Sequence, residues 1–255
     1  MKIATWNVNS LTVRLPQVLD WIAERDPDIL CLQETKVTDD RFPVEAFKKV
    51  GYTAIFRGQP TYNGVAILAR DTPSQVLSAF PEWDDPECRL LAARIGDIRV
   101  INVYVPNGKD VGTDKFRYKL AWLSHLGKLV SKEISVFPRI VLLGDFNIAP
   151  DDRDVYDPEA LAGQIFLTKE ERSVLSTLQS DTLDDAFRIL HPEKGHYSWW
   201  DYRAGMFRRN LGLRIDLIFT SRELRPHLVA GEIDKKVRKN ERPSDHAPVW
   251  IDLSV

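Results

Sequence analysis

The sequence predicts an α/β fold built in layers, with mixed or antiparallel β-sheets. The chain has 255 residues, of which 44% are hydrophobic and 28% are charged, and these values exclude a disordered chain, a collagen and a coiled coil. Strand-like segments outnumber helical ones and several follow one another directly, which disfavours a strictly alternating parallel sheet. The length suits one α/β domain, so we expect a single domain over residues 1–255, with two small domains as the alternative.

The strands are predicted from short apolar or alternating runs that turn residues bound. They lie at residues 3–8, 28–32, 64–69, 90–95, 99–104, 140–143, 214–220 and 249–253. Three helices are predicted from apolar residues at helical spacing, at residues 15–22, 116–130 and 168–178. Pro16 is expected near the start of the first and Pro27 after its end, while Thr168 and Glu171 have the spacing of a capping box.

The two cysteines exclude a four-cysteine zinc site and favour a reducing compartment. Cys31 lies in an apolar run, which is typical of a buried free thiol, and Cys88 is the other. No apolar run approaches the roughly 18 residues of a membrane span, and the amino terminus lacks the apolar core of a signal peptide. We therefore expect a cytoplasmic protein that does not enter a membrane.

Charge is unevenly distributed along the chain. The net charge of −2 gives no sign of a polyanionic partner, but residues 194–242 hold twelve basic and six acidic residues, a local charge of +6. The rest of the chain has 23 basic and 31 acidic residues, or −8. A solvated basic face is the default interpretation of such a segment, and a nucleic-acid contact surface is the alternative.

Polar side chains follow several predicted strands where generic turn residues would suffice. Asp145 and Asn147 come directly after the strand at 140–143 and project from one face because strand side chains alternate. The same arrangement recurs at four other positions, which are Asn7, Glu34, Tyr104 and Asn107. Taken singly, the asparagines suit turns, Glu34 suits a surface pair with Lys36, and Tyr104 suits a sheet aromatic. Their recurrence at several strand ends favours a functional site.

The carboxy-terminal part adds a carboxylate that needs a partner. Asp216 lies in an otherwise apolar strand, where an unpaired charge would cost several kcal/mol. His246, which lies between Asp245 and a proline-bounded strand start, is the expected partner, because a carboxylate can fix its tautomer. Carboxylates without cysteine suit Mg²⁺, and together with a histidine and a tyrosine they favour phosphate-ester hydrolysis.

The sequence resembles bacterial exodeoxyribonuclease III, in the apurinic/apyrimidinic (AP) endonuclease family of the endonuclease/exonuclease/phosphatase superfamily. The resemblance rests on eight motifs in order along nearly the whole chain. They are Thr-Trp-Asn-Val-Asn-Ser (5–10), Leu-Gln-Glu-Thr-Lys (32–36), Asn-Gly-Val-Ala-Ile (63–67), Val-Tyr-Val-Pro-Asn-Gly (103–108), Gly-Asp-Phe-Asn-Ile-Ala (144–149), Tyr-Ser-Trp-Trp-Asp-Tyr-Arg (197–203), Gly-Leu-Arg-Ile-Asp (212–216) and Ser-Asp-His-Ala-Pro-Val (244–249).

The resemblance implies a four-layer α/β sandwich, in which two mixed sheets pack face to face and helices cover the outer faces. It implies cleavage of duplex DNA on the 5′ side of abasic sites and removal of nucleotides or blocking groups from 3′ ends. Mg²⁺ is the implied cofactor, with Mn²⁺ as a substitute. The sequence does not specify the oligomeric state, and a monomer is the default expectation for an enzyme that wraps a duplex.

The resemblance also implies a role for each matched residue. Glu34 ligates the metal, Asn7 positions that cluster, and Asp245 completes its acids. Asp145 orients or deprotonates the attacking water, with Asn147 beside it. His246, held by Asp216, binds the scissile phosphate. Tyr104 and Asn107 contact the same phosphate.

The implied DNA contacts lie in the basic segment. Trp199 matches an aromatic near the abasic-sugar pocket, and its neighbour Trp200 is expected to face the core. The segment at 194–242 becomes a backbone clamp in this interpretation, with Arg203, Arg208 and Arg209 as its contacts.

Two alternatives stay open. The first is 3′-exonuclease or 3′-phosphatase activity with little incision at abasic sites, which depends on the loops at 109–114, 151–168 and 203–210. The second is a superfamily phosphoesterase for a non-DNA substrate, although such enzymes typically have a histidine where this chain has Tyr104. A non-catalytic DNA-binding module is disfavoured because every matched catalytic position holds the expected residue type.

Overall fold

The computed structural model describes residues 1–179 and 182–255. The described strands are β1 (Lys2–Asn7), β2 (Ile29–Gln33), β3 (Thr53–Arg57), β4 (Val65–Ala69), β5 (Ser74–Leu77), β6 (Leu90–Ile95), β7 (Ile98–Tyr104), β8 (Ile140–Asp145), β9 (Leu183–Asp185), β10 (Asp216–Ser221), β11 (Leu228–Ile233) and β12 (Val249–Leu253). The described α-helices are α1 (Leu11–Arg25), α2 (Val44–Lys49), α3 (Asp114–Val136), α4 (Lys169–Gln179) and α5 (Ala186–Leu190).

The strands form two six-stranded sheets. Sheet one has the order β11-β12-β1-β2-β4-β3, and sheet two has the order β5-β6-β7-β8-β10-β9. The β1/β2 and β7/β8 pairs are parallel and the other paired strands are antiparallel, so both sheets are mixed. The predicted α/β class with mixed sheets is therefore confirmed.

Alternation along each strand separates the layers. In β8, Val141 and Leu143 pack in the core that includes sheet one, whereas Ile140 and Leu142 pack with α3 and α4. On the other side of the molecule, Trp21 of α1 contacts Trp6 of β1 with ring centroids 6.2 Å apart. The order of layers is therefore helix, sheet, sheet, helix, as the resemblance implies.

A buried polar link joins the facing sheets. Asn102 of β7 donates from Nδ2 to the carbonyl oxygens of Leu32 at 3.0 Å and Ala66 at 2.9 Å, both in sheet one. Gln33 of β2 donates in return to Asn102 Oδ1 at 2.7 Å. Because unpaired amides are costly in an apolar core, this link fixes how the two sheets face each other.

The eight predicted strands are all present, within two residues of their predicted bounds. The four strands that the sequence did not predict, β3, β5, β9 and β11, are the edge strands of the two sheets. Edge strands are short and half exposed, so they lack the apolar run that marks a central strand. The two unpredicted helices, α2 and α5, have six and five residues.

The predicted helices are present with different ends. Helix α1 begins at Leu11, so Pro16 lies inside it and not at its start, which corrects the prediction. Helix α3 extends to 23 residues. Thr168 and Glu171 form the predicted capping box ahead of α4, with reciprocal backbone and side-chain hydrogen bonds. Among the described residues, no helix is both long and apolar enough to span a membrane.

Gly144, next to the end of β8, is expected to tolerate no side chain. Its φ is +144°, and a Cβ there would lie 1.9 Å from the carbonyl oxygen of Val103 in the neighbouring strand. Gly144→Ala should therefore lower the free energy of unfolding in urea by about 3 kcal/mol or more. Gly163→Ala is the control, because Gly163 also has a positive φ but open space around it. It should cost about 1 kcal/mol, and equal losses would contradict the clash.

Candidate active site

Three predicted site residues form a row across sheet two. In the β7/β8 pair Tyr104 lies opposite Asp145, and in the β8/β10 pair Asp145 lies opposite Asp216. All three continue the alternation that points toward sheet one, and all three are buried. The register of central strands therefore assembles these side chains at one edge of the sandwich.

Asn7, the last residue of β1, joins the two sheets at this edge. Its Nδ2 donates to Glu34 Oε1 and to Asp145 Oδ2, both at 2.8 Å. Its backbone carbonyl accepts a hydrogen bond from the Ser244 hydroxyl at 2.7 Å. One amide thus positions two carboxylates, and the segment at 244–249 holds the strand end that carries it.

Glu34 is placed by the sharp turn that ends β2. Its φ is +50°, and its side chain is 17% exposed, so the carboxylate faces the site while still reachable by solvent. Lys36 Nζ lies 2.8 Å from Glu34 Oε2 and also donates to Asn9 Oδ1 at 2.6 Å. The Lys36 pair that the sequence suggested is present, but it lies inside the site instead of on a remote surface.

Asp145 has an unusually basic carboxylate. Its Oδ1 accepts from the Asn147 backbone N–H at 2.9 Å, and its Oδ2 lies 3.8 Å from His246 Nε2. Burial raises the pKa of Asp145 to about 7; the charge of His246 opposes this rise and that of Asp216 adds to it. A group with such a pKa can exchange a proton near neutral pH.

His246 and Asp216 form the pair that the sequence predicted. His246 Nδ1 lies 2.8 Å from Asp216 Oδ2, which fixes the orientation of the ring and leaves Nε2 facing the site. Burial alone would lower the pKa of His246, but the carboxylates of Asp216 and Asp145 outweigh it and raise the pKa to about 10. The imidazole is therefore protonated at neutral pH.

Asp245 and Trp199 contact each other beside this pair. Trp199 Nε1 donates to Asp245 Oδ2 at 3.0 Å, and Asn9 Nδ2 donates to Asp245 Oδ1 at 2.9 Å. Burial alone would raise the pKa of Asp245. The charge of His246 and the hydrogen bonds from Trp199 and Asn9 outweigh burial and lower this pKa. Trp199 is half buried whereas Trp200 is fully buried, so the two adjacent tryptophans differ as predicted.

The two remaining asparagines form one wall. Asn107 Nδ2 donates to Asn147 Oδ1 at 3.3 Å, and Asn107 is exposed. Lys119 of α3 supports both from below, donating to the carbonyl oxygens of Asn147 at 2.7 Å and Asn107 at 3.2 Å. The Lys119 ammonium is fully buried and paired with Glu171.

Oxygen donors for a divalent cation converge here. Among the described residues, the ligand atoms of Glu34, Asp145 and His246 lie within 4.8 Å of one another. Asp245, which the resemblance assigns to the metal-side acids, is not in that group, and both of its oxygens accept hydrogen bonds. The carboxylate oxygens of this group could hold a divalent cation, and oxygen donors suit Mg²⁺ or Mn²⁺.

The basic segment at 194–242 is less positive at the surface than its sequence suggests. Arg214 and Arg238 are buried, and Arg214 pairs with Asp154 and Asp185. The prediction that the whole segment contacts the DNA backbone is therefore wrong for these two arginines, which are buried in the core. The three proposed contacts, Arg203, Arg208 and Arg209, are exposed on one loop.

That loop is anchored beside the site. Phe207 packs on Trp200 with ring centroids 5.1 Å apart, and Tyr202 donates to the carbonyl oxygen of Pro243 at 2.8 Å. Arg203 pairs with Asp201 while its side chain stays 87% exposed. The loop thus presents exposed cations near the segment that carries Trp199.

A family model for the endonuclease/exonuclease/phosphatase family matches residues 4–246. The chain belongs to this family. Exodeoxyribonuclease III of Haemophilus influenzae is 34% identical over 266 aligned positions, which cover 99% of this chain and all of that protein.

Two solved structures of the same family resemble the whole chain. A variant of the 3′ phosphatase NExo from Neisseria, bound to a product DNA hairpin, has 46% identity and a TM-score of 0.98, with all of both chains covered. An AP endonuclease from Archaeoglobus fulgidus has 37% identity and a TM-score of 0.96, again over all of both chains. The predicted family, the predicted four-layer fold and the predicted enzyme class, a phosphodiester-hydrolysing nuclease, are confirmed.

Several site residues escaped the sequence interpretation. Asn9, Lys36, Ser244 and Lys119 each contact a predicted site residue directly. Asn9, Lys36 and Ser244 lie inside the quoted motifs. Each is two residues from a predicted site residue (Asn7, Glu34 and His246), and this proximity could have identified them as site residues. Lys119 had none, because its pairing with Glu171 spans 52 residues.

The charge of His246 is expected to depend on Asp216. In Asp216→Asn, loss of the neighbouring charge should lower the pKa of His246 from about 10, which NMR titration of the imidazole would measure. A group with a raised folded pKa stabilises the fold fully below its unfolded pKa and loses that effect as pH rises through the folded value. The advantage of the wild type in unfolding free energy should therefore be largest below about pH 6.5 and shrink toward pH 10.

The exposed Asp84→Asn variant is the control for this titration, and it should leave the pKa of His246 unchanged. An unchanged pKa in Asp216→Asn would contradict the pairing as the cause.

Proposed function

We propose that the protein is a Mg²⁺- or Mn²⁺-dependent DNA repair nuclease that cleaves duplex DNA on the 5′ side of abasic sites and processes 3′ ends. The observation that carries the proposal is the junction of Asn7, Glu34 and Asp145 beside the His246–Asp216 pair. This junction provides two carboxylates that can bind a hard cation, a general base in Asp145, and a histidine that can bind the phosphate. The activities in the names of the similar proteins, exodeoxyribonuclease III and AP endonuclease, support DNA as the substrate.

Glu34, with Asp145 beside it, would hold the ion, and Asn7 would position both carboxylates. A bound divalent ion supplies neutralisation of phosphate charge, which is the main barrier to attack on a phosphodiester. Lys36 Nζ, which now balances Glu34 at 2.8 Å, would share that carboxylate with the ion.

Asp145 is the general base in this mechanism. It takes a proton from a water molecule as the water oxygen forms a bond to phosphorus. The bond from phosphorus to the 3′ oxygen of the preceding nucleotide breaks, and that oxygen takes up a proton from solvent and leaves as a 3′-hydroxyl. Burial raises the pKa of this carboxylate in the metal-free protein, which makes it a stronger base than an exposed aspartate. The Asn147 backbone N–H binds Oδ1 and Asn7 Nδ2 binds Oδ2, so both oxygens of Asp145 are held in position.

The phosphate is bound by donors on the facing wall. His246 presents a charged Nε2–H, while Asp216 prevents the ring from rotating. Burial and the Glu34 charge raise the pKa of Tyr104 well above its usual range, so the phenol remains a neutral donor. Asn107, exposed next to Asn147, completes the set.

A second candidate is 3′-end processing with little incision at abasic sites. It is favoured by the solved relatives named a 3′ phosphatase and a 3′-5′ exonuclease, which share 46% and 47% identity with this chain. The AP endonuclease relative shares 37%. The loops at 109–114, 151–168 and 203–210 that border the pocket would decide between the two.

The proposed setting is a monomer in the cytoplasm. Cys31 and Cys88 are both free and buried, as a reducing compartment allows. A monomer leaves the site edge and the loop at 203–210 open to a duplex.

The first test uses three duplexes that carry an internal abasic analogue, a recessed 3′ end or a 3′ phosphate. Wild-type protein with Mg²⁺ should cut 5′ to the analogue and process both 3′ ends, and EDTA should abolish all three activities. Asp145→Ala should reduce every rate by about 100-fold to 10,000-fold because the general base is lost. Asp84→Ala, which removes an exposed carboxylate, is the control.

Activity confined to the two 3′ ends would overturn the abasic-site proposal in favour of the second candidate. No activity on any duplex would overturn both.

The second test concerns the exposed arginines. Arg208→Ala and Arg209→Ala should each weaken binding to any duplex sequence, and each should lower the slope of log affinity against log salt by about 1, as loss of one phosphate contact does. Arg225→Ala is the matched control, because Arg225 belongs to the same basic segment but lies near Asp184. Unchanged slopes in both variants would place the DNA contacts elsewhere.

A further inference from the structure

A second cluster of metal-ligating side chains lies on the loop after α5 and shares no residue with the active site. The ligand atoms of His191, Glu193 and His196 lie within 4.8 Å of one another. Glu193 Oε1 is 3.5 Å from His191 Nδ1 and 2.8 Å from His196 Nε2. The two imidazole side chains are 29% and 27% exposed, so the donor atoms are accessible from solvent.

His191 already has the tautomer that a ligand needs. Its Nε2 lies 2.8 Å from the carbonyl oxygen of Gly231 in β11. A carbonyl only accepts hydrogen bonds, so Nε2 carries a hydrogen, and Nδ1, which lies on the side of Glu193, is the nitrogen left for a metal ion. A metal-binding histidine usually donates its other N–H in this manner, because the contact orients the ring.

The loop backbone is held by two arginines. Arg188 donates to the carbonyl oxygens of His191 and Glu193, and Arg153 donates to that of Pro192 at 2.9 Å. Both imidazole rings also pack on Phe187, with centroids 4.6 and 5.5 Å away. The cluster is therefore built into the fold by contacts that do not involve the three ligand atoms themselves.

The donor set selects a class of ion. Two imidazole nitrogens and one carboxylate oxygen suit Zn²⁺ and its transition-metal neighbours, whereas Mg²⁺ prefers oxygen alone. Tetrahedral ligands about 2.0–2.1 Å from zinc lie about 3.3 Å apart, close to the observed separations. Three protein ligands leave the fourth position to water.

We propose that His191, Glu193 and His196 form a binding site for a divalent transition-metal ion, with Zn²⁺ as the best fit. Binding replaces the hydrogen bond between His196 Nε2 and Glu193, and the Nε2 proton moves to Nδ1 or to solvent. The ion joins the end of α5 to the segment that leads, three residues after His196, into Trp199. This links the loop to one wall of the active site.

The test is calorimetric titration of the intact protein with Zn²⁺ in excess Mg²⁺, which competes for the carboxylates of the active site. The wild type should bind Zn²⁺ and gain thermal stability from it. His191→Gln and His196→Gln should each weaken this binding by about tenfold or more and remove the gain in melting temperature. His227→Gln is the matched control, because His227 is another half-buried histidine bonded to a backbone carbonyl.

A Glu34→Gln variant separates the two metal groups, and it should keep the full affinity of the loop site. Equal affinity and equal stabilisation by Zn²⁺ in wild type, His191→Gln and His196→Gln would overturn the proposal. Loss of binding in Glu34→Gln would overturn it too, since the ion would then lie at the active site.

Discussion

The arrangement of the site depends on one amide shared between two carboxylates. Glu34 follows a strand of sheet one and Asp145 ends a strand of sheet two, so their charges oppose the approach of the sheets at this edge. The two hydrogens of Asn7 Nδ2 bind one carboxylate each, at 2.8 Å, and this offsets the repulsion. The hydroxyl of Ser244 then holds the Asn7 backbone, which attaches the His246 segment to the same point.

The buried charges on the other side of Asp145 follow from the same constraint. Three carboxylates, those of Asp145, Asp216 and Asp245, surround one imidazole, and the protonated ring balances part of their charge. Removal of one member would leave another charge buried without compensation, which is more costly than replacing the whole group. The imidazole of His246 therefore balances the buried carboxylates, and it is the same ring that we propose binds the phosphate.

The central strands were predictable from the sequence because buried strands require continuous apolar runs. Most residues at both faces of β1, β2, β7, β8 and β10 are apolar, so a polar residue at the end of such a strand is conspicuous. Alternation along one strand predicts only that Asp145 and Asn147 share a face, whereas the row of Tyr104, Asp145 and Asp216 depends on the register between strands.

The unpredicted parts have two physical causes: edge strands pair on one side only, and the buried charges have partners that are distant in sequence. Edge strands such as β11 gain their structure from one neighbour only and remain partly polar. Lys119 is a buried cation because Glu171 meets it from another helix. Arg214 is buried because it forms ion pairs with Asp154 and Asp185 in the core. A count of charges along the chain therefore overestimates the positive charge of the surface.

The neighbours of β1 have a consequence for synthesis on the ribosome. β1 pairs with β12, and Asn7 is held by Ser244, 237 residues further along the chain, so the first of these strands to be made waits for residues translated much later. A nascent chain carries Glu34 and Asp145 long before it carries His246. Contacts of such sequence separation form late, and the site stays unassembled in the growing polypeptide until residues 244–253 have been made.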